Sequence, residues 1–290
     1  MKKNMHLLGR TPNLLACGAL LSLTLCSLRA DLVLEYNFDE GTGTAVADSS
    51  GFGTAADGTI VVGSGTGWST DTPSGTGFSF DNPGVTNDRV TTAGAVSKLS
   101  GDQVSIVTWL KLESAPGSGD RILSNLTTTG GTTGFSFQFF SPTSGTIATD
   151  NYQVEAYFDG ATFGGRGSVG VDGWVFLVST YDNASGESKF YLGTQFSSVV
   201  QIGPTTIVAG DIAVGLGGNL TVGNTDLNLA RTPDALFDSV QVYNEVLGLP
   251  ALESLRLSAI PEPATSVLLL GLCVGAAAAF RRRRKIALHL

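Results

Sequence analysis

The chain is 290 residues long and its charge is unevenly spread: residues 31–260 carry 24 acidic and 8 basic side chains, a net charge of −16, while the two ends hold nine of the seventeen Lys and Arg. Both histidines (His6, His289) and all three cysteines (Cys17, Cys26, Cys273) also lie in the ends. The middle therefore excludes Ser-His-Asp and Cys-His catalysis, His or Cys metal sites and a disulfide framework. So acidic a body also argues against nucleic acid as a partner, because neutralising phosphates takes clustered Lys and Arg.

In chain order, residues 1–30 read as a signal peptide. Lys2, Lys3 and Arg10 precede an apolar run from Leu14 to Leu28, and Ala30 is the expected last residue before cleavage. Residues 31–260 then read as one all-β domain. Short apolar runs bounded by glycine and other turn residues predict strands at 32–38, 59–62, 78–80, 89–92, 104–112, 121–124, 134–140, 153–158, 174–181, 189–192, 219–222 and 236–243. Alternation in Phe135-Ser136-Phe137-Gln138-Phe139 and Asp238-Ser239-Val240-Gln241-Val242 predicts sheets with a single core-facing side. A short helix is expected at 250–257, with Pro250 suited to its first turn.

The last part, 261–290, opens with Pro261-Glu262-Pro263, continues with the uncharged stretch 264–280, and closes on Arg281-Arg282-Arg283-Arg284-Lys285. That stretch is marginally long enough to span a bilayer as a single transmembrane helix, and the cations after it would stay in the cytoplasm. This three-part end resembles the PEP-CTERM sorting signal of Gram-negative bacteria. The resemblance implies export, transient anchoring in the inner membrane, processing by an exosortase, and delivery to the cell surface, outer membrane or extracellular matrix alongside exopolysaccharide.

The middle resembles the LamG-like jelly roll of the concanavalin A-like lectin/glucanase superfamily, an antiparallel two-sheet sandwich. The resemblance rests on Leu34-Glu35-Tyr36-Asn37-Phe38-Asp39 followed by Asp48-Ser49-Ser50-Gly51, on Phe78-Ser79-Phe80-Asp81 with Arg89-Val90, on Val104 to Leu110, on the Trp174-led strand, and on Phe237 to Asn244 with Leu247, Leu252 and Leu255. The pattern is hard to follow through the glycine- and threonine-rich stretch from Gly130 to Gly170. The superfamily's glucanases carry carboxylates on alternate strand positions as Glu-x-Asp-x-Glu, which puts them on one face. No such spacing occurs in this chain, so the expectation is a protein without enzymatic activity.

The resemblance further implies a structural calcium near the joined first and last strands. Asp238 and Asp48 are the carboxylates expected there, with Asp39 third. Each has a competing role, as an Asx-turn for Asp48, a solvated turn residue for Asp39 and an exposed strand position for Asp238. For sugar stacking the expected platforms are Trp68, in the glycine-rich segment 63–71, then Tyr152 and Phe163. Trp68 could equally fold back over a sheet edge as a plug. The expected function is a carbohydrate-binding or adhesive protein of the bacterial exterior, with extracellular polysaccharide as partner. The alternatives are a glycan-active hydrolase of the same superfamily and a structural matrix protein with no specific ligand.

Overall fold

The computed structural model describes residues 31–65, 67–127, 133–140, 152–159, 161–163, 168–169, 173–207, 214 and 217–260. The expected signal peptide, the Pro261-Glu262-Pro263 motif, the apolar stretch 264–280 and Arg281 to Arg284 lie outside them. Among the described residues no helix is long and apolar enough to cross a membrane.

Among the described residues seventeen strands and one α-helix follow in order: β1 (Leu32–Tyr36), β2 (Ala45–Val46), β3 (Gly58–Val61), β4 (Trp68–Ser69), β5 (Ser79–Pro83), β6 (Arg89–Ala95), β7 (Gln103–Leu112), β8 (Arg121–Ser124), β9 (Phe135–Phe140), β10 (Tyr152–Phe158), β11 (Ala161–Phe163), β12 (Ser168–Val169), β13 (Val175–Asp182), β14 (Glu187–Thr194), β15 (Val200–Ile207), β16 (Asn219–Val222), β17 (Asp234–Tyr243) and α1 (Leu249–Ser258). They form two antiparallel sheets. One runs β15-β14-β13-β7-β17-β5-β4 with β1 also on β17; the other runs β11-β10-β9-β8-β16-β6-β3-β2 with β12 also on β10. The result is a jelly-roll sandwich in which the first and last strands pair, Glu35 opposite Gln241 and Tyr36 opposite Val240.

All twelve predicted strands and the helix are present. Five strands were not foreseen, the longest being β15, which lies at a sheet edge. It carries Gly203 and Pro204 and is largely exposed, so no buried face imposes alternation on it.

The core between the sheets is aromatic. Phe38 stacks on Phe80 and Phe80 on Phe237, with centroids 5.9 and 6.0 Å apart, and Phe158 stacks on Tyr181 at 4.5 Å. Each such side chain contributes roughly 1.5–3 kcal/mol through removal from water. The first sheet departs from the expected single buried side. On its outer face Val107, Trp109, Phe176, Val178 and Leu236 form a second apolar cluster, which α1 covers through Leu252. Strand β7 is consequently buried on both faces along most of its length. The helix is held from its own side by Arg256, a buried cation that donates to both Glu253 oxygens at 2.7 and 2.9 Å and to the Thr194 carbonyl at 2.7 Å.

Candidate functional site

The three expected calcium carboxylates do not converge. Asp48 Oδ1 accepts from the Glu35 and Ser50 N–H groups at 3.2 and 3.1 Å, the second bond being the Asx-turn expected there. Its Oδ2 accepts from the Ala56 N–H at 2.9 Å and from Lys98 Nζ at 2.5 Å. Burial opposes the charge, but the Lys98 ammonium and the Ala56 and Ser50 donors outweigh it and hold the carboxyl below the usual carboxylate range. A carboxylate whose oxygens already face a cation and three amides does not fit calcium.

Asp238 is not the exposed strand position anticipated. It is 7 % exposed, on the outer face of β17 at a bulge, where the pairing to β7 shifts between Asp238 and Gln241 and Ser239 adopts a φ of +48°. The Ser239 hydroxyl donates to its Oδ1 at 3.1 Å. Burial, reinforced by the charge of Asp39 and opposed by the Ser239 donors, pushes the carboxyl up to about 7. Asp39 and Asp238 thus share one electrostatic neighbourhood and Asp48 belongs to another. Among the described residues no three His, Cys, Asp or Glu side chains gather as a metal-binding group.

The raised carboxyl has a measurable consequence. Folded Asp238 keeps its proton to about pH 7, whereas the unfolded chain releases it near 3.8, so its contribution to stability falls as pH rises through that window and is level above it. Asp238→Asn is expected to remove the fall. Urea unfolding at pH 4, 5.5 and 7 should show the variant gaining on the parent by a few kcal/mol; a constant difference across the three would refute the assignment.

The expected stacking platforms are also repositioned. Trp68 is 9 % exposed, and as part of β4 it pairs with Phe80, turns into the core and donates its indole N–H to the Gly43 carbonyl at 2.8 Å. The plug, not the exposed platform, is what its packing describes. Tyr152, the first residue of β10, is half-buried against the core. Phe163 ends β11. Its neighbours 164–167 lie outside the described residues, as do Asp150 and Asn151 beside Tyr152.

A different constellation lies on the outer face of the second sheet. In β9 and β10 the core takes Phe135, Phe137, Phe139, Val154, Ala156 and Phe158. Period-2 geometry therefore sends Ser136, Gln138 and Phe140, and Gln153, Glu155 and Tyr157, to the other side. Register then aligns a polar row across three strands, Glu155 opposite Gln138 and Gln138 opposite Arg121, with Tyr157 opposite Ser136. Directly opposed side chains sit about 4.5–5.5 Å apart at Cβ. Gln138 Nε2 donates to Glu155 Oε1, and Arg121 Nη1 donates to the Gly119 carbonyl at 2.7 Å.

What distinguishes this row is the bonding it lacks. Gln138 Oε1, Gln153 Oε1, Ser136 Oγ and Arg121 Nε are buried without a hydrogen-bond partner, four of the nine such side-chain atoms among the described residues. Each orphan costs roughly 1–3 kcal/mol. Two are acceptors, one is a donor and one is a hydroxyl that can be either. Gln138 is 3 % exposed, whereas Arg121, Phe140, Gln153 and Tyr157 are half-buried around it. Sequence reasoning missed this strip because all of it but Arg121 falls inside the glycine- and threonine-rich stretch where the family pattern is hard to follow. The alternation in 135–139 did signal that Ser136 and Gln138 share a polar face; the pairing that lines them up with Glu155 and Arg121 carried no local signal.

A lectin-like sandwich with a polar strip on one sheet is what the fold and this face define. The model of the concanavalin A-like lectin/glucanases superfamily matches residues 84–250, more than half of the chain, and the protein belongs to that superfamily. The PEP-CTERM protein-sorting motif matches residues 259–285, beginning where α1 ends. The motif marks an exported, membrane-transiting protein of Gram-negative type, processed by an exosortase-type system.

Solved structures with the same fold include the binding domain of Paraclostridial Mosquitocidal Protein 1 (12 % identity, TM-score 0.53, covering 79 % of this chain and 52 % of that one). The binding domain of botulinum neurotoxin DC in complex with SialylT is similar at 13 % identity and TM-score 0.53, with the same coverages. Trypanosoma rangeli sialidase in complex with sialic acid is similar at 12 % identity and TM-score 0.52, covering 79 % of this chain and 33 % of that one. The chain thus spans from a third to about half of these structures, and at such identities the likeness is one of fold. No curated protein sequence matches the chain.

Proposed function

We propose that the protein is an exported carbohydrate-binding or adhesive component of the cell surface or extracellular matrix, and that the Arg121–Gln138–Glu155 strip with Tyr157 is its glycan-binding face. The observation that carries this reading is the set of buried, unpartnered donors and acceptors in the strip. A sugar presents hydroxyls that both donate and accept, so one ligand class satisfies Gln138 Oε1, Gln153 Oε1 and Arg121 Nε together once the half-buried side chains around them swing aside to uncover them. Tyr157 adds a half-buried aromatic ring beside them. The solved binding domains named above support the reading as proteins of this fold that bind ligands.

We read the protein as non-enzymatic. Glycoside hydrolysis takes two carboxylates flanking the scissile bond, and Glu155 is the single carboxylate on the described outward positions of β8, β9 and β10. Hydrolysis of a labelled glucan panel that vanished with Glu155→Gln would overturn that. The glycan reading itself is tested on a glycan array followed by titration of the best binder. Gln138→Ala is expected to weaken binding about tenfold, the loss of one or two hydrogen bonds, and, because its Nε2 also holds the buried Glu155 Oε1, to lower the melting midpoint modestly without unfolding the protein. Unchanged affinity would separate the strip from the glycan.

We place the structural calcium implied by the family on Asp238 and Asp39 rather than on Asp48. Millimolar calcium at pH 7.5 is expected to raise the melting midpoint of the parent and not of Asp238→Asn.

A further inference from the structure

Seven Lys and Arg side chains are described between residues 31 and 260. Five stand in ion pairs: Arg89 with Asp226, Lys98 with Asp48, Lys111 with Asp71, Lys189 with Glu187 and Arg256 with Glu253. The two that do not, Arg121 and Arg231, are neighbours. The Arg121 N–H donates to the Arg231 carbonyl at 3.0 Å, and the two guanidiniums hold consecutive carbonyls of one loop, Arg231 that of Ser118 and Arg121 that of Gly119. Burial first, and then the adjacent Arg231 charge, pull the Arg121 pKa down to about 10, against the opposing charges of Tyr157, Glu155 and Asp120. Asp120, whose carboxylate feels both guanidiniums, is buried and accepts from the Gly117 N–H at 2.6 Å. In a body with three acidic residues for every basic one, two adjacent arginines that both stand outside the ion pairs leave room for an anion to join them.

The loop is shaped to allow the approach. Gly119 has a φ of +87°, and a Cβ there would lie 2.7 Å from Arg231 Nη1. Arg121 meanwhile is the last member of the polar strip and keeps a buried, unpartnered Nε. We propose that Arg121 and Arg231 form an anion subsite at the end of the strip, which takes an oxyanion substituent of the glycan, a uronate carboxylate or a sulfate ester. Guanidinium groups match both chemistries through paired N–H donors. Because the rest of the surface is strongly negative, such a subsite selects for a charge placed at one point of the ligand over a uniformly charged polymer.

This inference rests on the glycan-binding reading, and the two can fail separately. The full-length chain in detergent is titrated with trigalacturonate, with its neutral methyl ester and with galactose 6-sulfate. The acid is expected to bind at least tenfold tighter than the ester, and Arg231→Gln and Gly119→Ala should each collapse that preference to within twofold. Tighter binding of the sulfated sugar than of galactose assigns the sulfate source. Equal binding of acid and ester, or a preference that survives Arg231→Gln in a variant with parental melting, overturns the subsite and leaves the glycan reading standing. If no sugar binds, the glycan reading fails and inorganic sulfate decides the subsite. Shifts of the Arg121 and Arg231 Nε–Hε resonances in nitrogen-15 NMR sustain it, and silence there sinks it.

Discussion

Asp48→Ala is expected to lower the unfolding free energy by about 3–5 kcal/mol, the range for removing one partner of a buried ion pair. The Asp48 side chain is fully covered and that of Lys98 is 9 % exposed. Without Asp48, an ammonium is stranded among the Ser50 hydroxyl and the Phe52 carbonyl, and the Glu35, Ser50 and Ala56 N–H groups lose their acceptor. The same carboxylate ties the first strand to the segment after β2 and to the turn at Ser97–Leu99, so the loss spreads over three pieces of chain. Asp48→Leu combined with Lys98→Met is expected to cost less than either change alone, because no charge is then left buried. Thermal and urea unfolding of the three variants checks this, and additive losses would sink it. The pH dependence runs opposite to that of Asp238. The folded pKa of Asp48 is depressed, so its stabilisation is present above the unfolded value near 3.8 and disappears as pH falls through the lower folded value.

Trp109→Ala is expected to cost a further about 3–5 kcal/mol by opening a cavity, although Trp109 lies outside the space between the sheets. It is 1 % exposed, packs edge-on against Phe176 at 5.5 Å and 63°, and sits beneath α1 with Leu252. Its indole N–H has no partner, so Trp109→Phe removes a buried orphan and is expected to cost far less. If Trp109→Ala were tolerated within 1 kcal/mol, the helix would not be a sealing element. Limited proteolysis gives a second readout: loss of the indole should loosen α1 and speed cleavage after Arg256 while the inter-sheet core stays protected. That result matters for sorting, since the sorting motif begins at residue 259, directly behind this helix.

Much of the architecture was written in local patterns. Twelve strands and a helix were recoverable because Phe, Val, Ile and Leu recur in short runs between glycines, and burial of one face imposes that period whatever the strand's partners. The two ends were legible for the same kind of reason, since a charged flank beside an uncharged apolar run needs no tertiary context to be recognised. The absence of His and Cys from the body likewise removed whole classes of chemistry before any fold was drawn.

The sites were a different matter. Trp68 reads as a loop residue, and only the two-residue strand it forms beside β5 turns it inward. Asp48 reads as a turn residue, and only the fold brings Lys98, fifty positions away, onto its carboxylate. Gln138, Glu155 and Arg121 each look like ordinary polar strand positions; register across β8, β9 and β10 makes them one row. Residue identity and spacing decide which face of a strand is apolar, because that depends on neighbours two positions apart. Which polar side chains meet depends on strand pairing between distant segments, and no local period encodes that pairing.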